Sequence, residues 1–388
     1  MRVAILRRTP NASVSMDVYA DRLINGLKIV RPTWNIFEFY PTSAARSAKP
    51  FQWISGVQKY YERYWRYPHR LQQLDADIFH IIDHSDGYLS SWLRNAQRPN
   101  VVTCHDLINL IRPDTFKGRA SFPLVSMTAW RWGVEGMRQA NHILSVSSHT
   151  KKDTVEHLGI SPETITVVPN AVDQVFHCLS QDEVKAVRHR YGLADQTWCL
   201  LNVGSNNSRK NVSGILTAID LLKTQGIPVH FWKVGTDFNQ EQKQFIQSHG
   251  LTSCVTYLGQ PDKTDLIEIY NAANCLVAPS FYEGFGLTIL ESMACGTPVI
   301  TANVTAMPEV AGNAAILVDP TNIEAITNAA RYLYEHPDEC ARLSQKGLDH
   351  VLEFTWECTA EQVAQVYEQV MQQSSSELSI ESLVKTVN

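Results

Sequence analysis

The 388-residue chain has no long hydrophobic run. None of its apolar stretches approaches the roughly 18 residues that a membrane span requires. The opening Met1-Arg-Val-Ala-Ile-Leu is too short an apolar core for a signal peptide and reads as a first strand. There is no excess of basic charge: 34 Lys and Arg against 39 Asp and Glu give a formal net charge of −5, which offers no footprint for nucleic acid. The eight cysteines stand singly, without a C-x-x-C pair. That usage fits reduced core thiols of a cytoplasmic protein rather than a disulfide scaffold. Internal repeats and low-complexity tracts are missing, and without a G-x-x-x-x-G-K-[ST] signature there is no P-loop. What remains is a soluble globular composition, 44% hydrophobic and 19% charged, long enough for two domains.

Short apolar runs alternate with amphipathic segments, the pattern of parallel sheets wrapped by helices. In the first half the predicted strands cover 3–6, 34–40, 78–82, 101–103, 142–146 and 164–168. In the second they cover 199–203, 230–234, 255–258, 275–278, 299–301 and 315–318. A helix is expected after the first strand, with Tyr19, Leu23, Leu27 and Val30 on one face and Ser13 or Ser15 as its cap. Another follows the strand at 142–146, with Ser148 as cap, and further helices are expected over 181–191, 212–222, 324–335 and 339–352. A last helix from Trp356 carries Val363, Val366, Tyr367 and Val370 on its apolar face, and Ser374-Ser375-Ser376 onward reads as a frayed tail.

The stretch from Ala278 to Ile300 concentrates the chemistry. A buried strand runs into the turn at 279–284 and then a helical pattern with Leu287, Leu290, Met293 and Ala294 on one face, ended by Gly296 and Pro298. This order aims the free N–H groups and partial positive charge of a helix N-terminus beyond the edge of the sheet, where they favour phosphate. Glu283 and Glu291 bracket that terminus, about 10–12 Å apart along the axis at roughly 1.5 Å per residue. The separation exceeds the roughly 5–9.5 Å of a hydrolytic carboxylate pair. It suits an extended ligand with a diol at each end and phosphates between, such as a nucleotide sugar; two solvated or capping glutamates are the plainer alternative. Upstream, Gly204-Ser-Asn-Asn-Ser-Arg209-Lys210-Asn211 follows another strand. An Arg-Lys pair at a helix start opposes the helix dipole, so its charges answer either solvent or an anion outside the helix.

Glu283-Gly-Phe-Gly-Leu-Thr-Ile-Leu-Glu291, followed by Ala294-Cys-Gly-Thr-Pro-Val, resembles the E-x7-E segment of the retaining glycosyltransferases of family 4 (group 1). Thr103-Cys104-His105-Asp106-Leu107 resembles that family's HDL motif. Pro169-Asn170-Ala171-Val172-Asp173 resembles its hinge segment, with Ala171 where glycine is common. The resemblance runs over most of the chain and implies a GT-B fold, with two Rossmann-like doubly wound α/β domains facing a central cleft. The first, over 1–175, would bind the acceptor; the second, over 176–355, the nucleotide sugar. Residues 356–388 would form a crossover helix packing back on the first domain, plus a tail.

By the same resemblance Glu283 contacts the transferred sugar near the backbone of Phe285 and Gly286, and Glu291 holds the ribose. Leu287 and Thr288 face the diphosphate together with Arg209 and Lys210, in the turn opened by Gly204. His105 positions the sugar, and Asp106 holds its loop. Ser13 and Ser15 border the donor in the first loop, where the family's Gly-Gly pair is missing. The implied reaction moves a hexosyl group, mannosyl or glucosyl, from a nucleoside diphosphate sugar to a glycan or lipid-linked acceptor hydroxyl, with retained configuration and neither metal nor cofactor. A nucleotide-sugar epimerase of this fold and a non-catalytic nucleotide-sugar-binding subunit stand as alternatives.

Two further features are weighed against that reading. Asp75-Ala-Asp77 precedes a strand and reads as a turn rather than a metal-binding DxD, and His80 lies in a strand, where its spacing from His84 carries no ligand geometry. Residues 46–70 set Arg46, Lys49, Lys59, Arg63, Arg66 and Arg70 against Glu62, interleaved with aromatics such as Trp53, Tyr61 and Trp65. Such a stretch either lies on the anionic inner face of a membrane or is a surface helix with its aromatics turned inward.

Overall fold

The computed structural model describes residues 1–9, 14–41, 61–112 and 123–387. It divides into two compact units, Met1–Pro169 with Trp356–Asn388, and Asn170–Thr355. Residues 170–175, placed by the sequence in the first domain, go with the second unit, where Val172 N–H donates to the Phe354 carbonyl at 3.1 Å.

In the first unit β1 (Arg2–Leu6), β2 (Asn35–Phe39), β3 (Ile78–Ile81), β4 (Asn100–Cys104), β5 (His142–Ser145) and β6 (Ile165–Val167) form one parallel sheet in the order β2-β1-β3-β4-β5-β6. Side chains alternate across it with period two. Val3, Ile5, Ile78, Val101 and Leu144 pack with Tyr19, Leu23 and Leu27 of the helix Val14–Val30. Ala4, Leu6, Phe79, Ile81, Val102 and Cys104 pack on the opposite side with Tyr67, Leu71, Leu89 and Leu93. Both faces are covered, which is why these strands read as unbroken apolar runs.

The last helix, Trp356–Val387, lies along the helix Val14–Val30. The approach is close enough that a Cβ on Gly26 would stand 2.8 Å from the Trp356 carbonyl oxygen. Arg31 adds bonds to Glu361 (2.7 and 2.9 Å) and Glu368 (2.8 Å). The expected frayed tail is instead helical. Ser375 and Ser376 turn their hydroxyls back onto the carbonyls of Met371 (2.9 Å) and Gln372 (3.0 Å), a bond that occupies the hydroxyls within the helix.

The second unit holds β7 (Trp198–Gly204), β8 (Val229–Gly235), β9 (Val255–Tyr257), β10 (Cys275–Ala278), β11 (Val299–Ala302) and β12 (Ile316–Val318), again all parallel, in the order β12-β11-β10-β7-β8-β9. Strand order reverses between β7 and β10. In open α/β sheets ligands bind outside the carboxyl ends of the strands at such a point.

Several local expectations are corrected. Ser147, not Ser148, caps the helix Ser148–Leu158 by accepting from Thr150 N–H at 3.1 Å. Ser15 sits inside the first turn of its helix, and Ser13 lies outside the described residues. Leu287 is 38% exposed, so the buried face of the helix Leu287–Ala294 is made by Ile289, Leu290, Met293 and Ala294. The helices Gln240–Ser248 and Lys263–Ala272 were not foreseen, although Asn239 and Gln242 form a capping box.

Of the basic aromatic segment, residues 46–60 lie outside the described residues. In the remainder Arg63 binds Asp86, and Arg66 and Arg70 flank Glu62 at 3.5 and 3.8 Å. Tyr67 is buried, whereas Tyr61 and Trp65 are 58% and 53% exposed. Among the described residues no helix is long and apolar enough to cross a membrane.

Candidate functional site

The switch point of the second sheet gathers three of the predicted charges. Beyond β7 the chain makes a short 3-10 turn, Ser208–Lys210, capped by Asn207, whose carboxamide oxygen accepts from Arg209 N–H at 3.1 Å. Asn211 takes the left-handed conformation (φ 56°) and anchors its side chain on the Pro320 carbonyl at 2.7 Å before the helix Val212–Thr224 begins. The loop beyond β10 is zipped to this turn, because Phe281 N–H donates to the Arg209 carbonyl at 2.7 Å.

Glu283 lies between the two loops. One carboxylate oxygen accepts from Arg209 Nη1 at 2.5 Å, and the other meets Lys210 Nζ at 2.6 Å and the Ser280 hydroxyl at 2.8 Å. Arg209 also donates to the Tyr282 carbonyl at 2.9 Å. The three charged side chains retain 12%, 21% and 14% of their exposure, in the order Glu283, Arg209, Lys210. Burial pushes the Glu283 carboxyl up, but Lys210 and Arg209 outweigh it and hold the group at about 2. Two cations face one carboxylate, so the cluster keeps one net positive charge.

Next in the chain, Gly286 (φ 114°) turns into the helix Leu287–Ala294 with no side-chain cap. A Cβ there would meet Ile289 Cδ1 at 3.1 Å in a backbone conformation that side chains rarely adopt. Ile289 N–H bonds the Gly286 carbonyl at 2.9 Å, whereas the N–H groups of Leu287 and Thr288 precede the first intrahelical donor. Phe285 is buried against Phe354, ring centres 6.2 Å apart. Farther along the helix, Glu291 accepts from the Tyr270 hydroxyl at 2.7 Å. Its carboxyl is raised by burial, partly offset by that bond and by Lys263 and Lys210. The two glutamates are therefore shifted in opposite directions, Glu283 by its cations and Glu291 by its burial.

His105 belongs to the first unit, just beyond β4. Its Nε2 is 2.9 Å from the Ile82 carbonyl, which can only accept, so Nε2 carries the proton and Nδ1 is left as an acceptor. Burial, reinforced by His84, lowers its pKa and keeps the ring neutral. Tyr19 packs edge-on at 4.8 Å. Asp106 folds back to accept from Ile108 N–H at 3.1 Å, which fixes the loop. Asp77 accepts from the backbone N–H of Arg2 at 2.7 Å and, like Asp75, pairs with its guanidinium. His80 is buried between the hydroxyls of Tyr367 and Thr103, each at 2.6 Å.

Sequence reasoning missed Lys233, wholly buried in β8. Its Nζ donates to the carbonyls of Gly204 and Val234, both at 2.7 Å. The available signal was a lysine inside an apolar strand two residues before Gly235.

The family described as Glycosyl transferases group 1 matches residues 183–350, and Glycosyltransferase Family 4 matches residues 29–176. The O-antigen chain mannosyltransferase B of Escherichia coli is 32% identical over 236 residues, 59% of this chain and 61% of that protein. The serotype-specific mannosyltransferase WbdA of Escherichia coli is 26% identical over 316 residues, 78% of this chain and 38% of that protein. The chain thus spans less than two thirds of the length of these curated relatives. Among solved structures, the sucrose-phosphate synthase of Thermosynechococcus elongatus superposes with a TM-score of 0.74 at 21% identity, covering 96% of this chain and 99% of that one, which establishes the shared fold.

Proposed function

From its membership of the group 1 glycosyltransferases, we propose that this chain transfers a hexosyl group, mannosyl in the first instance, from a nucleoside diphosphate sugar to a glycan or lipid-linked hydroxyl with retained configuration. The observation that carries this reading is the cluster of Arg209, Lys210 and Glu283 at the switch point, beside an uncapped helix start. Arg209, Lys210, the Gly204 turn and the N–H groups of Leu287 and Thr288 take the diphosphate and stabilise its growing charge as it departs. Fixed positive charge and amide dipoles then supply the neutralisation, and no metal is invoked.

Glu283, with the neighbouring backbone of Phe285 and Gly286, takes the sugar hydroxyls, and Glu291 the ribose. Because Glu283 is tied to two cations and a hydroxyl, it is a poor nucleophile. That agrees with the front-face substitution implied by the family resemblance, in which the acceptor attacks from the side of the leaving diphosphate, which helps remove its proton. His105 is assigned to the sugar as a neutral acceptor at Nδ1, and Ser15 to the edge of the first loop, on the resemblance alone.

An NMR time course with GDP-mannose and UDP-glucose tests the reading. Transfer with retained anomeric configuration in the presence of a mannan or lipid-linked acceptor is expected, with slow turnover in its absence. Epimerised donor without acceptor would replace the reading by an epimerase, and binding without turnover by a sensor subunit.

Peripheral membrane contact is proposed in a reduced form, through Tyr61 and Trp65, because Arg63 is paired with Asp86 and the carboxylate of Glu62 offsets one of the two charges of Arg66 and Arg70. Binding to liposomes is then expected to depend weakly on salt and to fall in Tyr61→Ser/Trp65→Ser. Failure of the wild type to co-sediment with anionic liposomes at low salt ends the idea.

A further inference from the structure

We propose that Lys233 is a positioning residue for the donor diphosphate, a buried third cation that holds the Gly204 turn from behind and adds its charge to the site. This rests on the donor reading above. Lys233 is wholly inaccessible, and its ammonium spans the ends of two neighbouring strands through the carbonyls of Gly204 and Val234. Gly204 is gripped from two more directions. Its carbonyl accepts from Thr236 N–H at 3.1 Å, and Gly235 lies so near that a Cβ there would come within 2.2 Å of the same oxygen. On the other side of Gly204, Lys210 Nζ lies 3.5 Å from the position a Cβ would take. One glycine therefore separates two lysines, one against its carbonyl and one against its Cα.

Among the described residues no carboxylate pairs with Lys233. Asp237 attracts it only at longer range, while burial and Lys210 disfavour its charged form. Closing a turn between two carbonyls does not need a charge, since the two N–H groups of a neutral amide can donate to both. An ammonium buried without a counter-ion destabilises the fold. A charge kept at that cost has a use when an anion lies over the turn, where Arg209, Lys210 and the amides of the helix start converge on phosphate. The diphosphate then serves as the counter-ion that Lys233 lacks and joins Glu283 in offsetting its repulsion from Lys210.

The test uses the full chain and the probes GDP, UDP and inorganic pyrophosphate. Lys233→Gln is expected to melt at the wild-type temperature or above without ligand, and Lys233→Met lower than Lys233→Gln, because methionine leaves the Gly204 and Val234 carbonyls without this donor. Both should bind the tightest of these probes at least about tenfold more weakly, the scale of one charge-assisted contact. The donor KM should rise by a similar factor with a smaller change in kcat. Glutamine restores the hydrogen bond without the charge, so wild-type affinity in Lys233→Gln would reduce Lys233 to a structural clamp and overturn the proposal. A readout free of variants is calorimetry of the wild type near pH 8.5 in two buffers of different ionisation enthalpy: net proton uptake on binding is expected, and none would overturn the proposal. Wild-type protein that binds none of the probes would overturn the donor reading itself.

Discussion

Lys210→Ala is expected to lose about 10²–10³ in kcat/KM for the sugar nucleotide, the usual consequence of removing one preorganised donor from a departing anion. Most of the affinity for the nucleoside diphosphate should go with it. The fold should persist, because Glu283 keeps Arg209 at 2.5 Å and the Ser280 hydroxyl at 2.8 Å. With one cation gone, the Glu283 carboxyl titrates above the value of about 2 that Lys210 and Arg209 together impose on it. A cooperative melt showing a folded protein, lowered by no more than the loss of one of the two ion pairs, alongside a calorimetric loss of nucleotide binding would establish the role. Undiminished nucleotide affinity in Lys210→Ala would remove Lys210 from the phosphate site. Lys210→Arg is expected to recover only part of the loss, since a planar fork does not replace a compact point charge at 2.6 Å from Glu283.

The arrangement behind this prediction was half legible in the sequence. All twelve strands lie within a residue of their expected ends, because parallel strands covered on both faces leave continuous apolar runs such as Val3-Ala4-Ile5-Leu6 and Cys275-Leu276-Val277-Ala278. Arg209 and Lys210 could be singled out because their charge opposes the helix they precede. That they share Glu283 could not be read: 73 or 74 residues separate the partners, and their meeting depends on β10 pairing with β7, an order that strand composition does not encode. Lys233 was hidden for a related reason. On a strand its side chain enters the interior whatever its polarity, and only the facing carbonyls of Gly204 and Val234 reveal why the interior accepts it. Errors at helix ends had local causes. Ser147 and Ser148 are both good caps, and only the backbone conformation (Ser147 at φ −155°, ψ 162°) decides between them.

Glu283→Gln is expected to separate binding from turnover. The carboxylate now neutralises the two cations assigned to the diphosphate, so removing its charge leaves Arg209 and Lys210 free to favour an anion. Nucleotide affinity should hold or rise, while kcat falls by about 10²–10³ because the amide cannot serve the sugar hydroxyls as a charged acceptor does. Stability should move the other way. Breaking a buried ion pair at one partner costs about 3–5 kcal/mol, and the remaining 12–21% exposure of these side chains places the loss toward the lower end. The pH dependence has a definite sign. The folded-state pKa of Glu283 is depressed, so its stabilisation is complete above the unfolded value of about 4.3 and is lost as pH falls through about 2. The gap in melting temperature between wild type and Glu283→Gln should therefore be full at neutral pH and narrow across that acid window. Added nucleoside diphosphate should also narrow the gap at neutral pH, by supplying the missing negative charge. A variant whose nucleotide affinity falls in step with its turnover would instead make Glu283 a ground-state binding group, and the two cations would have to act on something other than the diphosphate.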